Sequence, residues 1–116
     1  MHNPAMHIGK DLVAASAAPL VLSLLSHGES YGYAILQRIR ELSGGELQWT
    51  DGMLYPVLHR LEEQGLIRSR WGVSETGRKR KYYRLAATGR KALQSHQTQW
   101  RLVDELFRQL WNPRHA

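Results

Sequence analysis

The chain has 116 residues, no cysteine and a formal net charge of +6. This length is enough for one compact domain and little more. The lack of cysteine excludes disulfide bonds, thiolate nucleophiles and cysteine-based zinc sites, and leaves histidine as the only soft metal ligand. These features fit a cytoplasmic protein, for which we predict neither a metal nor a cofactor.

The positive charge is concentrated in one segment. Residues 68–91 carry nine cationic side chains against the single acid Glu75, so this segment has a charge of +8 and the rest of the chain sums to −2. Such a concentration indicates contact with a polyanion, with nucleic acid as the first candidate and an anionic membrane surface as the weaker one. No membrane span is expected, because the apolar run of residues 12–25 is shorter than the roughly 20 residues that a bilayer requires.

The first predicted helix follows an N-terminal arm. Residues 1–10 show no helical period, so we expect a flexible arm. From Asp11 to Gly28 the pattern is helical, with an apolar stripe formed by Leu20, Val21, Leu24 and Leu25. Because proline disrupts a helix interior, the stripe either starts at Pro19 or is kinked there.

Two more helices are predicted before the basic segment. Ser30 is expected to cap the second helix, Gly32 to permit close packing within it and the pair Gly44-Gly45 to end it. Its predicted apolar face consists of Ile35, Ile39 and Leu42. Thr50 is expected to cap the third helix, which ends at Gly65. The third helix has core positions at the spacing i, i+3, i+4 and i+7, namely Leu54, Val57, Leu58 and Leu61.

Pro56 interrupts the pattern of the third helix. Proline has no N–H group, so Pro56 cannot donate the usual hydrogen bond to the carbonyl of Gly52. Either the helix starts nearer Met53, or it bends at the proline. The sequence leaves both alternatives open.

A β-hairpin is predicted after the third helix. Residues 66–73 and 79–85 are rich in strand-forming side chains, and residues 74–77 supply turn chemistry between them. Three helices followed by a hairpin predict a winged helix-turn-helix domain over residues 11–86, in which the hairpin is the wing.

The longest helical pattern lies at the C-terminal end. Residues 87–112 are predicted to form one helix, followed by a tail at 113–116. Apolar and aromatic side chains recur at alternating spacings of three and four, as in a coiled-coil seam: Leu93, His96, Trp100, Val103, Phe107 and Leu110. An isolated helix of this length is marginal in water, so we expect the seam to form a homodimer. Packing back on its own domain is the alternative.

The third helix and the wing are the candidate DNA-binding elements. The major groove admits a helix and presents a distinct donor and acceptor pattern for each base pair, while cations neutralise phosphates. The candidate DNA-binding residues are Thr50, Asp51, Gly52, Tyr55, His59, Arg60, Arg78, Lys79, Arg80 and Lys81. The pattern leaves open that Tyr55 braces the second helix, that His59 is a solvated surface residue and that the four wing cations form a solvated charge run.

Trp100 is the candidate ligand-binding residue outside these elements. A large ring at a coiled-coil position packs poorly against its symmetry mate and leaves a cleft, in which flat aromatic ligands stack. A plain dimer-core tryptophan is the alternative. Trp49 and Trp71 are interpreted as packing residues of the core or the hairpin. We predict that the chain is not an enzyme, because it shows no catalytic spacing of Ser, His and acid and no glycine-rich phosphate loop.

Three runs occur in a distinctive order: Leu-Tyr, then Leu-Glu-x-x-Gly-Leu-Ile, then Lys-Tyr-Tyr-Arg-Leu, within residues 28–33, 53–67, 80–85 and 88–89. In these runs the chain resembles the PadR family of transcriptional regulators. The single C-terminal helix resembles that of the smaller PadR subfamily, which implies a homodimer that represses transcription from an inverted-repeat operator until an effector binds. Similar multidrug sensors hold an aromatic compound between two tryptophans, which implies a pore lined by Leu12, Ala15, Trp100, Val103 and Asp104.

The predicted fold is mainly α-helical with a small β-hairpin, a winged helix-turn-helix followed by a long dimerisation helix. The predicted function is that of a homodimeric DNA-binding regulator, released from double-stranded DNA by a small aromatic or cationic effector. The alternative function is a ligand- or partner-binding module whose basic wing contacts RNA or protein.

Overall fold

Four helices and a small sheet form the fold in a computed structural model that describes residues 8–112. In chain order the elements are α1 (Lys10–Ser26), β1 (Ser30–Tyr31), α2 (Gly32–Leu42), α3 (Asp51–Glu63), β2 (Ile67–Val73), β3 (Lys79–Leu85) and α4 (Ala87–Trp111). The predicted mainly helical architecture with a hairpin wing is confirmed. The predicted tail and most of the predicted arm lie outside the described residues, and α1 already begins at Lys10, within the expected arm.

The core lies where α1, α2 and α3 meet the sheet. The predicted inner face of α3 is confirmed, since all four of its residues are buried: Leu54, Val57, Leu58 and Leu61. They pack in one cluster with Leu22 of α1, Ile35 of α2 and Tyr83 of β3. Each such apolar side chain contributes about 1.5–3 kcal/mol when it is removed from water. The opposite face of α3 is thereby turned toward solvent.

The sheet has three antiparallel strands in the order β1, β3, β2. The hairpin pairs Val73 with Lys79 at its tip and Ile67 with Leu85 at its base. Ser30 was predicted to cap α2, and this was wrong, because Ser30 pairs with Tyr83 as part of β1. The residue that precedes α2 is Tyr31, in extended conformation and without a side-chain capping bond. The two-residue strand β1 was missed because it is too short to show an alternating pattern.

The observed helix boundaries decide between the alternatives that the sequence left open at Pro19 and at Pro56. α1 runs from Lys10 through Pro19, so the apolar stripe does not start at the proline. The Ser23 hydroxyl donates a hydrogen bond of 2.6 Å to the Pro19 carbonyl, within the same helix. α3 begins at Asp51, so the alternative start near Met53 was wrong and Pro56 lies inside the helix.

Helix α4 is attached to the domain through its first two turns and borders α1 as far as Trp100. Gly89 and Leu93 are its buried residues, and every described residue from Gln97 to Trp111 is exposed. Gly89 packs so closely on the backbone of Leu66 and the side chain of Leu85 that an added Cβ would overlap both. Residues 101–111 of α4 are all exposed in the single chain.

We expect the substitution Gly89→Ala to destabilise the fold by roughly 1–3 kcal/mol, because the new methyl group must displace the Leu66 carbonyl. The free energy of unfolding from urea titration at a fixed protein concentration measures this loss. Gly52→Ala is the matched control, since it also replaces a helical glycine by alanine. Its added Cβ would meet only the Thr50 hydroxyl, at 3.7 Å. A Gly89→Ala protein as stable as the control variant would contradict the close contact.

Candidate nucleic-acid interface

A groove of about 430 Å³ separates the outer face of α3 from the wing. Tyr55 and His59 line it from α3, and Trp71, Lys79 and Lys81 line it from the hairpin. The Tyr55 and His59 rings lie 6.4 Å apart, one turn from each other along the helix. The groove therefore brings together helix and wing residues that are separated in sequence, and it is lined by aromatic rings and cations.

The Tyr55 side chain packs against α2 and is also partly exposed at the groove. Its hydroxyl lies against Gly32 at the start of α2, where any Cβ would overlap it. Tyr55 as a whole is 36% exposed and lines the groove. This contact agrees with the alternative interpretation that Tyr55 braces the second helix, and it holds the ring in one orientation. Tyr83 lies behind it, and burial raises the pKa of the Tyr83 phenol.

The four wing cations are in different environments. Arg78 and Lys79 are exposed at the hairpin tip. The Lys81 ammonium lies 3.9 Å from Glu62 and 5.9 Å from the centre of the Trp71 ring. Arg80 also lines the groove, at the edge formed by β1, and its guanidinium lies 3.8 Å over the Tyr31 ring. The two tip residues are therefore freer to meet a phosphate than the two that follow.

A chain of contacts anchors the wing to β1. Arg70 of β2 donates two hydrogen bonds to the Glu29 carboxylate, at 2.9 and 2.5 Å, and its guanidinium lies 4.8 Å over the Tyr82 ring. Tyr82 meets Tyr31 edge to face, with ring centres 5.6 Å apart. The hydrogen bonds from Arg70 lower the pKa of Glu29. Because the pair is exposed, we assign it an orienting role more than a stabilising one.

The other predicted DNA-binding residues lie outside the groove. Thr50, Asp51 and Gly52 are exposed where α3 begins, and Thr50 makes no side-chain capping bond. Gly52 and Arg60 line a separate cavity between α1 and α3. Thus α3 presents two exposed sides, one toward the wing and one toward α1.

Sequence reasoning missed the role of Trp71. It was interpreted as a packing residue of the core or the hairpin, and the core interpretation is wrong because Trp71 is 68% exposed. The register explains its position: Trp71 pairs with Lys81, and both side chains face the groove. Trp49, in contrast, is buried as expected. No residue pattern in the hairpin distinguishes an outward tryptophan from an inward one when alternation is imperfect.

The cavity beside Trp100 has a volume of about 280 Å³ and lies between α1 and α4. It is lined by Trp100 together with Ser16, Pro19, Leu20, Ser23, Leu93, His96 and Gln97. The other predicted pore residues do not line it within one chain: Leu12, Ala15, Val103 and Asp104 are exposed on the same two helices. Asp104 accepts a 2.7 Å hydrogen bond from Arg108.

The predicted seam of α4 is broader than two positions per heptad. Trp100, Val103, Phe107 and Leu110 are exposed as a stripe, while Leu93 is buried in the domain and His96 is partly buried. Three further exposed apolar side chains widen that stripe: Leu102, Leu106 and Trp111. Phe107 and Trp111 stack with ring centres 4.3 Å apart. The coiled-coil repeat of 3.5 residues identified only part of this exposed apolar surface of α4.

Other kinds of site find no support in residues 8–112. No three of their His, Asp and Glu side chains are grouped so that they would hold a metal ion. Within the same residues, no helix combines the length and hydropathy that crossing a membrane requires.

We expect Arg70→Ala to raise the pKa of Glu29 toward that of an unpaired glutamate, because the variant lacks the two hydrogen bonds. With the pKa lowered, the ion pair holds at neutral pH and is lost as the pH falls through the lowered value. Carboxyl chemical shifts followed through an acid titration measure the change. Arg68→Ala, which removes a neighbouring arginine of β2, is the control. An equal titration midpoint of Glu29 in the wild type and in both variants would contradict the anchoring contact.

Comparison with known proteins agrees with this geometry. The profile of the transcriptional regulator PadR-like family matches residues 21–95. The transcriptional regulator Rv3488 of Mycobacterium tuberculosis is 38% identical over 96 residues, which are 80% of this chain and 83% of that protein. The crystal structure of a PadR family transcription regulator from Clostridium difficile has a TM-score of 0.74 at 30% identity, and covers 84% of this chain and 99% of its own.

A transcriptional regulator from Clostridium thermocellum is also similar, with a TM-score of 0.78 at 33% identity over 87% of this chain and 95% of that chain. The family consists of transcriptional regulators and not of enzymes, which confirms the prediction that this chain is not an enzyme. By the extent of the matched segment and the shared fold, the chain belongs to the PadR-like family of transcriptional regulators.

Proposed function

We propose that the protein is a cytoplasmic homodimeric repressor that binds an inverted-repeat operator in double-stranded DNA and is released by a small effector. The observation that carries the proposal is the groove between α3 and the wing. It places Tyr55 and His59 of the helix on the same side of the molecule as Lys79 and Lys81 of the hairpin. A helix in the major groove and cations on the adjoining phosphates require this common side.

Each contact has a distinct chemical role in this proposal. The exposed start of α3, at Thr50, Asp51 and Gly52, enters the major groove, where backbone and hydroxyl groups reach base edges. Tyr55, His59 and Arg60 supply further hydrogen-bond donors along the helix. Arg78 and Lys79 at the wing tip neutralise phosphates, and Arg80 and Lys81 add positive potential from positions held by Tyr31 and Glu62.

Dimerisation is proposed through the C-terminal half of α4. Seven of its apolar side chains are exposed in a single chain, from Trp100 to Trp111: Trp100, Leu102, Val103, Leu106, Phe107, Leu110 and Trp111. A contiguous apolar surface of this kind is typical of a protein interface. Because no residue of α4 after Leu93 is buried within its own domain, a second copy is proposed to cover this surface, and two copies would present two α3 helices to two half-sites.

The effector site is proposed at the dimer centre around Trp100. Its ring borders a cavity between α1 and α4 in each chain. In a dimer, Leu12 and Ala15 of α1 and Val103 and Asp104 of α4 would extend this wall, since they are exposed beside it. A flat aromatic ligand that favours one spacing of the two α3 helices binds less well when DNA holds another spacing, and this difference is the coupling that releases the operator.

Titration of three nucleic acids tests the DNA-binding proposal. We expect the duplex of the gene's own upstream region to bind more tightly than a random duplex and an RNA hairpin, at two salt concentrations. Lys79→Gln should lower the logarithmic salt slope by about 0.9 for each phosphate that the variant no longer neutralises. Lys91→Gln, an exposed lysine of α4, is the charge-matched control. Equal affinity for all three nucleic acids would count for an RNA- or partner-binding module instead.

Trp100→Ala tests the effector site. We expect the variant to lose binding of flat aromatic dyes, measured by the fluorescence polarisation of the dye, and to remain a dimer in sedimentation velocity. The control is Tyr33→Ala, which removes an exposed aromatic ring of α2 that borders neither cavity nor groove. Undiminished dye binding by the Trp100 variant would contradict the proposed effector site. If the wild-type protein sediments as a monomer at micromolar concentration, the proposed dimer is contradicted.

A further inference from the structure

A carboxylate lies beside one of the cations of the candidate DNA interface. Glu62 belongs to the last turn of α3, and its Oε1 atom lies 3.9 Å from the Lys81 ammonium of β3. Its other oxygen, Oε2, accepts a hydrogen bond from the Ser69 hydroxyl of β2. Glu62 therefore joins α3 to both strands of the wing, and it does so at a lysine that faces the groove.

We propose that Glu62 competes with a DNA phosphate for the Lys81 ammonium and thereby limits the affinity of the interface for DNA. Carboxylate and phosphate oxygens are both anionic acceptors for a lysine. Lys81 has to leave Glu62 before it neutralises a phosphate. The proposal rests on the proposed DNA-binding function, and it gives Glu62 an effect opposite to that of the surrounding cations.

The Lys81 ammonium has a defined site within the protein. Besides Glu62, two aromatic rings lie near it, since its Nζ atom is 5.9 Å from the centre of the Trp71 ring and 5.8 Å from that of Tyr83. Aromatic faces attract a cation at distances up to about 6 Å. Lys79 differs in this respect, because it is exposed and forms no ion pair within the described part of the chain.

The Ser69 hydroxyl orients the Glu62 carboxylate. Ser69 pairs with Tyr83 and Trp71 pairs with Lys81 in the hairpin. Because side chains two positions apart along a strand share a face, all four lie on the same face of the sheet. A glutamine at position 62 would keep an acceptor oxygen for Ser69 and remove the negative charge. Glu62→Gln is therefore a variant that changes the attraction for Lys81 and retains the other contact.

The ion pair is weak enough to be exchanged for a phosphate. The side chains of Lys81 and Glu62 are 33% and 35% exposed, and their separation of 3.9 Å is longer than a hydrogen bond. Partly exposed pairs of this kind contribute little in water, so breaking the pair changes an affinity by only about two- to five-fold. Glu62 thus lowers the affinity for DNA without preventing binding.

Binding of a random duplex to the full-length protein tests the competition, with the anisotropy of labelled DNA followed at several salt concentrations. We expect Glu62→Gln to bind about two- to five-fold more tightly than the wild type, with a logarithmic salt slope steeper by up to about 0.9, because Lys81 then neutralises one more phosphate. Glu63→Gln, which removes the same charge from the adjacent exposed residue, is the matched control. An equal gain in both variants, or weaker binding by Glu62→Gln, would overturn the proposal.

Lys81→Gln separates the competition from a general loss of negative charge. In the Lys81→Gln background, Glu62→Gln should give no further gain in affinity, and a persistent gain would show that the carboxylate acts on DNA directly. A second comparison leaves Glu62 in place. Lys81→Gln should lower the salt slope less than Lys79→Gln does, because Lys79 has no carboxylate to leave, and equal reductions would contradict the competition.

A measurement without DNA distinguishes failure of this proposal from failure of the proposed DNA-binding function. The ¹³Cε signal of Lys81, identified by its absence from Lys81→Gln, should change its chemical shift in Glu62→Gln and keep it in Glu63→Gln. An unchanged shift in both variants overturns the ion pair itself. A changed shift without wild-type binding to any duplex refutes DNA binding and the competition together, whereas binding with equal salt slopes in wild type and Glu62→Gln overturns the competition alone.

Discussion

The burial of one face of α3 is the constraint on which the rest of this protein depends. Leu54 and Leu58 are fully buried against α1 and the sheet, so the rotation of α3 about its own axis is set. A helix whose apolar stripe is held in this way presents its remaining side chains at fixed angles. Tyr55 and His59 then face the wing, while Met53 and Arg60 face α1.

The parts of the fold that the sequence predicted well are those in which apolar periodicity and turn chemistry agree. The inner face of α3 and the hairpin with its turn before Gly77 are of this kind, since both repeat over several residues. The parts that it missed depend on contacts between distant segments. The strand pairing of Ser30 with Tyr83 is one example, and the outward position of Trp71 is another.

The sequence predicted which residues belong to the candidate DNA-binding site, but not how their side chains are arranged in space. Arg78 to Lys81 are four consecutive cations in sequence, but the structure gives them different surroundings, with Arg80 over Tyr31, Lys81 near Glu62 and the other two exposed at the hairpin tip. Arg80 stacks on a tyrosine from a strand that was not predicted, so its environment was out of reach of sequence reasoning. Similarly, the cavity between α1 and α3 depends on the distance between these two helices, which no local pattern reports.

Helix α4 acts mechanically as a long arm held at one end. Its buried residues, Gly89 and Leu93, occupy the first two turns, whereas Trp111 lies 22 positions after Gly89. At a rise of about 1.5 Å per residue the arm beyond Gly89 is about 33 Å long, so a tilt of about 5° at its base displaces its end by about 3 Å. The close fit of Gly89 on Leu66 is therefore the pivot, and its rigidity determines how faithfully a small rotation of one domain is transmitted to the far end of the helix.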